Sequence, residues 1–190
     1  MILGSHNSWS YLPPKKWYMK PFRFTARCQD WDIKTQYEHG VRCFDLRLQY
    51  DKDTLHVVHG SMIYKITCAE LLKDLEWLNK QGDVYVRVLH DARTKKLHNE
   101  RAVKNFQNDC VAFEQLYPNI KFWCGKNLYN WTNDYEFKNN PSCAEYYSSV
   151  VLPKIDDLYP RCYAKKNNKI IYERGTDKDI LLLDFVNYVV

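Results

Sequence analysis

Short apolar runs that suit β-strands alternate with segments of helical periodicity along this 190-residue chain. Residues 41–50 alternate in polarity as a half-buried strand does, and residues 83–91 form a run typical of a buried strand. Between them, Thr67 and Glu70 form a capping-box pattern, which predicts a helix that ends near Gly82. Strands that alternate with helices predict an α/β fold with a mostly parallel sheet or barrel.

The remaining elements follow from the same patterns. Strands are predicted at residues 2–6, 54–60, 120–125, 169–175 and 179–186, and helices at 32–39, 98–116 and 142–159, the last with a kink or break at Pro153. A long connection follows the first strand. A complete eight-unit barrel needs about 250 residues. The sequence therefore predicts a single domain over residues 1–190 that folds as a TIM-barrel-like (β/α) barrel, shortened or incomplete.

Charge and cysteine content narrow the classes of partner and compartment. The formal net charge of +5 favours anionic partners, and no block of Lys and Arg is long enough to act as a nucleic-acid arm, so no nucleic-acid partner is expected. None of the seven cysteines has C-x-x-C spacing, so the spacing suggests no zinc site. Several lie inside apolar runs, which predicts reduced, buried thiols. Without a signal peptide or an apolar run long enough to span a bilayer, the chain is expected to be cytoplasmic. The oligomeric state stays open.

Asp45 and Arg47 share one face of the predicted second strand, opposite an apolar face suited to outer helices. In a barrel this face points inward, and active sites of barrels lie at the carboxyl ends of the strands. A buried acid and a buried arginine need partners or a ligand. A purely structural ion pair is the alternative interpretation.

Two predicted strands end in a histidine, His6 and His59, at the edge where the connecting loops gather. Each alone is typical of a packing residue, but together with Arg47 they suit the cleavage of a phosphodiester. One imidazole removes a proton from the attacking hydroxyl, the other protonates the leaving oxygen, and the guanidinium neutralises charge on the phosphoryl group.

The motifs GSHNS (4–8), GVRCFDLRL (40–48) and LHVVHG (55–60) together resemble the X-domain signature of phosphatidylinositol-specific phospholipase C. The resemblance is closest to the bacterial, metal-independent type and becomes thinner after residue 60. It implies that His6 is the general base and His59 the general acid. It further implies that Arg47 stands where animal enzymes place calcium, that Asp45 is an acid found in both branches, and that Asp184 orients the base.

Asn7 departs from the bacterial pattern, which has an aspartate at this position as the partner of the acid histidine. Asparagine is the residue of the calcium-dependent branch, so Asn7 and Asp45 are alternative Ca²⁺ ligands. Because Arg47 would compete with calcium for the same space, we expect no metal cofactor. Asn7, Arg87 and His90 are the candidate substrate-binding residues. Arg87 and His90 lie in the strand at 83–91, on opposite faces of it.

The connection at residues 9–31 interleaves aromatic and basic side chains, a pattern that suits an anionic membrane surface. The candidate membrane contacts are Trp9, Lys15, Lys16, Trp17 and Tyr18. A loop packed on the barrel, or stacking against single-stranded nucleic acid, are alternatives.

The expected function is therefore a phosphodiesterase of the phospholipase C type that acts through a cyclic phosphate, with phosphatidylinositol as the candidate substrate. Two alternatives stay open: a soluble phosphodiester as substrate, and an inactive module that binds phosphate or lipid.

Overall fold

A mixed sheet of eight strands organises the part of the chain that the computed structural model describes, residues 1–92, 94, 97–124, 128–139 and 160–189. The strands are β1 (Ile2–Ser5), β2 (Cys43–Asp51), β3 (Thr54–His59), β4 (Met62–Ile63), β5 (Val84–His90), β6 (Ile120–Trp123), β7 (Phe137–Asn139) and β8 (Ile180–Leu183). Six of them run parallel in the order β7-β8-β1-β2-β5-β6. The α/β fold predicted from the alternation is confirmed.

β2 changes partners along its length and so brings a hairpin over one end of the sheet. Its first half lies between β1 and β5, and its second half pairs antiparallel with β3. The turn between β2 and β3 passes through Lys52, whose φ of 57° is left-handed. β3 then runs back along β2, away from Asp51, so that His59 at its end lies beside His6, the residue that follows β1.

The two edges of the parallel sheet approach each other. Asn133, which lies just ahead of β7, makes an isolated parallel bridge with Trp123 of β6. The segment that contains β7 is therefore a neighbour of β6 as well as of β8. One bridge is not a continuous ladder, so the closed, TIM-barrel-like form stays a prediction.

The helices are α1 (Ile33–Glu38), α2 (Cys68–Gln81), α3 (Glu100–Leu116) and α4 (Pro160–Arg174), with 3-10 segments at Ser8–Tyr11, Trp17–Thr25 and Val186–Tyr188. The predicted capping box begins α2: Thr67 Oγ1 accepts from the Glu70 amide at 3.2 Å, and Glu70 Oε2 accepts from the Thr67 amide at 2.7 Å. No helix in the described ranges is both long and apolar enough to cross a membrane.

The predicted strand at residues 169–175 is wrong, because these residues lie in α4 and its end. Ala164 and Asn168 are fully buried four residues apart, and Ile171 packs against the core, which is the spacing of a helix face. The neighbouring Ile170 is 48% exposed. The predicted helix at 142–159 lies outside the described residues.

Candidate active site

His6 and Asp184 lie side by side because they follow two adjacent strands. β1 and β8 pair in parallel with Ser5 opposite Leu183, so the next residue of each strand occupies a neighbouring position at the carboxyl end of the sheet. His6 Nδ1 lies 2.7 Å from Asp184 Oδ1, and both side chains are buried.

The neighbours of the His6 ring determine its tautomer. Arg47 Nη2 lies 2.5 Å from His6 Nε2, and because a guanidinium only donates hydrogen bonds, Nε2 must accept. The proton of the neutral ring therefore lies on Nδ1 and is donated to Asp184. This tautomer keeps a lone pair on Nε2, which is what a general base needs.

Asp45 is a buried carboxylate held by two arginines. The register of β2 and β5 places it beside Arg87, whose Nη1 lies 3.5 Å from Oδ1, while Arg47 Nε donates to Oδ2 at 3.0 Å. The main-chain N–H of Asn7 also donates to Oδ2 at 3.0 Å. Burial opposes ionisation, but the charges of Arg47 and Arg87 outweigh it and hold the pKa of Asp45 well below its usual range. The ionised carboxylate fixes Arg47 next to His6.

His59 faces His6 but has a different environment. The two ring centroids are 5.9 Å apart and the planes are nearly perpendicular, at 88°. His59 Nδ1 lies 2.9 Å from the carbonyl oxygen of Ala26, so Nδ1 carries the proton. Burial, followed by the charges of His6 and Arg47, lowers the pKa of His59 to about 4. His59 is therefore neutral near pH 7 in the free protein, and a general acid at this position must take up a proton when substrate binds.

Asn7 presents a buried donor with no partner among the described residues. Its backbone is left-handed, with φ of 51°, and its side chain is buried. The amide nitrogen Nδ2 makes no hydrogen bond within that part of the chain. An unpaired buried donor at this position suits an acceptor on a ligand, such as a phosphoryl oxygen.

A calcium ion does not fit the alternative ligands Asn7 and Asp45. Calcium takes six to eight oxygen ligands. Both carboxylate oxygens of Asp45 face N–H donors, and the guanidinium of Arg47 already supplies the positive charge beside them. The donor set therefore matches the arginine and not the metal.

Two of the candidate substrate-binding residues, Arg87 and His90, separate as their opposite faces predict. Arg87 is buried beside Asp45, with its guanidinium 4.2 Å from the ring centroid of Phe137. Its Nε atom has no partner among the described residues. His90 packs instead on the other face, 5.3 Å from the His98 ring and 5.4 Å from the Phe106 ring. The structure does not bring His90 to the site.

The connection after β1 divides into a buried and an exposed part. Trp9 is only 1% exposed and its Nε1 donates to Asp74 at 2.9 Å, so its prediction as a membrane contact is wrong: the 3-10 turn at Ser8–Tyr11 folds the ring into the core. By contrast, Trp17 is 78% exposed. The same connection has other exposed side chains close to Trp17 in the sequence, namely Lys15, Lys16, Tyr18, Lys20, Phe22 and Phe24. We call these residues, with Trp17, the aromatic loop surface.

Sequence reasoning missed three site residues. Asp91 accepts from the Gly60 amide at 2.9 Å and lies 3.7 Å from Arg47 Nη1. Gln29 donates to the carbonyl oxygen of His6 at 2.9 Å, and Cys28 Sγ lies 3.7 Å from His59 Nδ1. The position of Asp91 at a strand end was a usable signal, but nothing in the sequence marks Cys28 or Gln29.

Comparison with known proteins identifies the fold. No protein-family model matches the chain, and no curated protein matches its sequence. Among solved structures, phosphatidylinositol-specific phospholipase C from Listeria monocytogenes matches with a TM-score of 0.61 and 16% identity, covering 97% of this chain and 87% of that one.

The Staphylococcus aureus enzyme matches in a structure concerned with modulation of its membrane binding, with a TM-score of 0.61, 14% identity, and coverage of 100% of this chain and 87% of that one. A single-residue variant of the same enzyme matches with a TM-score of 0.62, 16% identity, and coverage of 100% and 86%. The resemblance predicted from the three motifs is thus confirmed at the level of the fold: this chain has the fold of the bacterial phosphatidylinositol-specific phospholipases C.

Proposed function

We propose that the protein is a phosphodiesterase of the phosphatidylinositol-specific phospholipase C type. The observation that carries this proposal is the His6 ring, held by Asp184 with its Nε2 lone pair directed to Arg47 and with His59 facing it. A base, a second imidazole and a fixed cation at one strand edge are the groups that cleavage of a phosphodiester requires.

In the proposed first step, a hydroxyl next to the phosphodiester takes the place of Arg47 at His6 Nε2. His6 removes the hydroxyl proton, and the oxygen attacks phosphorus to close a cyclic phosphate. The bond from phosphorus to the leaving oxygen breaks, and His59 delivers a proton to that oxygen. Arg47 donates to the phosphoryl oxygens, and the unpaired Nδ2 of Asn7 offers a further donor.

His59 needs a proton on Nε2 for this step, although its pKa of about 4 keeps it neutral in the free protein. The bound phosphodiester carries a negative charge close to the ring, which favours the imidazolium. Substrate binding therefore favours protonation of His59. A carboxylate at position 7 would also favour it, but the neutral Asn7 does not.

The aromatic loop surface supports phosphatidylinositol in a membrane as the substrate. Aromatic rings suit the membrane–water boundary, and the three lysines of this surface attract anionic lipid. No metal cofactor is proposed, because Arg47 supplies the positive charge beside Asp45.

Product analysis by phosphorus NMR tests the proposal. The wild-type protein is incubated with phosphatidylinositol vesicles and with soluble phosphodiesters, each in excess chelator. We expect a cyclic phosphate to appear first, and Arg47→Lys to lose most of the activity because lysine cannot donate two parallel hydrogen bonds. Turnover of soluble diesters alone supports the second substrate class, and binding without turnover supports an inactive module. Loss of activity in chelator with recovery on calcium addition contradicts the role of Arg47.

A further inference from the structure

A cysteine thiol lies among the groups of the candidate active site, and the proposed mechanism does not use it. Cys28 is buried, and one ligand atom from each of His6, Cys28 and Asp184 lies within 4.8 Å of the other two. His59 Nδ1 is 3.7 Å from the Cys28 sulfur. Imidazole, thiolate and carboxylate are the ligands that Zn²⁺ takes in proteins.

The main chain holds Cys28 in this position. The Cys28 amide donates to Ser10 Oγ at 2.9 Å, and its carbonyl oxygen accepts from the Phe185 amide at 2.5 Å. Because Phe185 follows Asp184 directly, this last bond holds the main chain of Cys28 beside the end of β8, where Asp184 lies. Tetrahedral zinc with bonds of about 2.0 to 2.3 Å needs ligand atoms separated by roughly 3.3 to 3.6 Å. Small side-chain rotations therefore suffice to form the site.

The charges also match a divalent cation. A Cys28 thiolate and the Asp184 carboxylate carry two negative charges together, and the nearest opposing charge, Arg47, lies on the other side of the imidazole, at Nε2. Calcium and magnesium prefer sites made of oxygen ligands, whereas a thiolate selects zinc and related ions.

We propose that Zn²⁺, or another thiophilic divalent cation, binds His6 Nδ1, Cys28 and Asp184 and inhibits the protein; the inhibition, but not the binding, rests on the proposed phosphodiesterase function. The ion displaces the proton of the thiol, which leaves to solvent. It also displaces the proton on His6 Nδ1, which moves to Nε2 of the neutral ring. Nε2 then has no lone pair, its hydrogen bond from Arg47 is lost, and His6 no longer acts as a base.

Cobalt absorption reads the binding directly. Co²⁺ is added to full-length protein in a Cys68→Ser, Cys162→Ser background, which removes two exposed thiols. We expect a near-ultraviolet thiolate-to-cobalt band that saturates at one equivalent, disappears on addition of Zn²⁺, and is absent after the further change Cys28→Ser. Asp184→Asn should weaken binding at least tenfold while retaining the band, which covers the case in which Cys28→Ser fails to fold. A band that survives Cys28→Ser, or no band in the parent, overturns the proposal.

Measurements of activity in the presence of Zn²⁺ test the inhibition. The rate of each variant is compared with its own rate in chelator. Zn²⁺ should lower the rate of the parent at least tenfold more than that of Cys28→Ser, whereas Ca²⁺ and Mg²⁺ should leave both unchanged. Equal inhibition of both proteins overturns the assignment. A protein that shows the Cys28-dependent cobalt band but turns over no phosphodiester retains the metal site and contradicts the proposed function.

Discussion

His6 Nδ1 donates to Asp184 Oδ1 across 2.7 Å, although 178 positions separate the two residues in the chain. This bond keeps the proton on Nδ1 and the lone pair on Nε2. We predict that Asp184→Asn lowers the rate of phosphodiester cleavage at least ~100-fold, the scale of losing a general base. In nitrogen NMR spectra the His6 ring should shift toward the Nε2-protonated tautomer. A variant that is slow but retains the wild-type tautomer contradicts the role given to Asp184.

The contribution of His59 to the free energy of unfolding depends on pH. Its folded pKa of about 4 lies below the ordinary value of 6.5, so the unfolded chain takes up the proton first as the pH falls. The contribution is complete above pH 6.5 and is lost as the pH falls toward 4. Between pH 7.5 and 5 we expect the wild type to lose about 2 kcal/mol more free energy of unfolding than His59→Gln. Urea denaturation of both proteins at both pH values measures this, and parallel losses contradict it.

Asp45 neutralises two buried guanidinium groups, so its removal should cost stability as well as activity. We predict that Asp45→Asn lowers the free energy of unfolding by about 3 to 5 kcal/mol, because Arg47 and Arg87 are left without their shared carboxylate. Asp53, which pairs with Arg101 at the surface, is the matched control. Asp53→Asn should cost far less than Asp45→Asn, because solvent screens this exposed pair. Chemical denaturation that shows equal costs for the two changes contradicts this account of Asp45.

The aromatic loop surface should bind anionic membranes. We predict that Trp17→Ala together with Phe22→Ala reduces co-sedimentation with anionic vesicles, and that high salt weakens the binding of the wild type, because screening reduces the attraction of the lysines. Leu116 is the control: it is 60% exposed but ends α3 just before β6 begins, at the opposite end of the sheet. Equal binding by the Trp17/Phe22 and Leu116→Ala variants, or wild-type binding that is the same for neutral and anionic vesicles, contradicts this surface.

Strand patterns and motifs predicted the parts of the site that follow from a strand end. His6 lies at the end of β1, as predicted from its position after an apolar run. Asp45 and Arg47 share one face of β2, and Arg47 contacts Asp45 at 3.0 Å. The contact of His6 with Asp184 depends on the pairing of β1 with β8, which only the complete sheet determines.

The contacts made by the long connection after β1 could not be predicted from the sequence either. The carbonyl oxygen of Ala26 and the thiol of Cys28 reach His59 because the long connection folds back over the strand ends. Periodicity gives no information on such a path. Trp9 was misassigned because the sequence of a connection rich in aromatic and basic residues does not show which rings face water and which, like that of Trp9, face the core.

Separate acid and base roles for two histidines are the central claim, and changing the leaving group tests it most directly. Rates are measured for His6→Ala and His59→Ala on phosphatidylinositol and on a nitrophenyl ester of inositol phosphate, whose leaving group departs without a proton. We predict that His59→Ala loses at least ~100-fold on the lipid but less than about tenfold on the nitrophenyl ester, whereas His6→Ala loses at least ~100-fold on both. The two-histidine mechanism would be contradicted if His59→Ala cleaved the lipid at the wild-type rate, or if the two variants lost equal rate on both substrates.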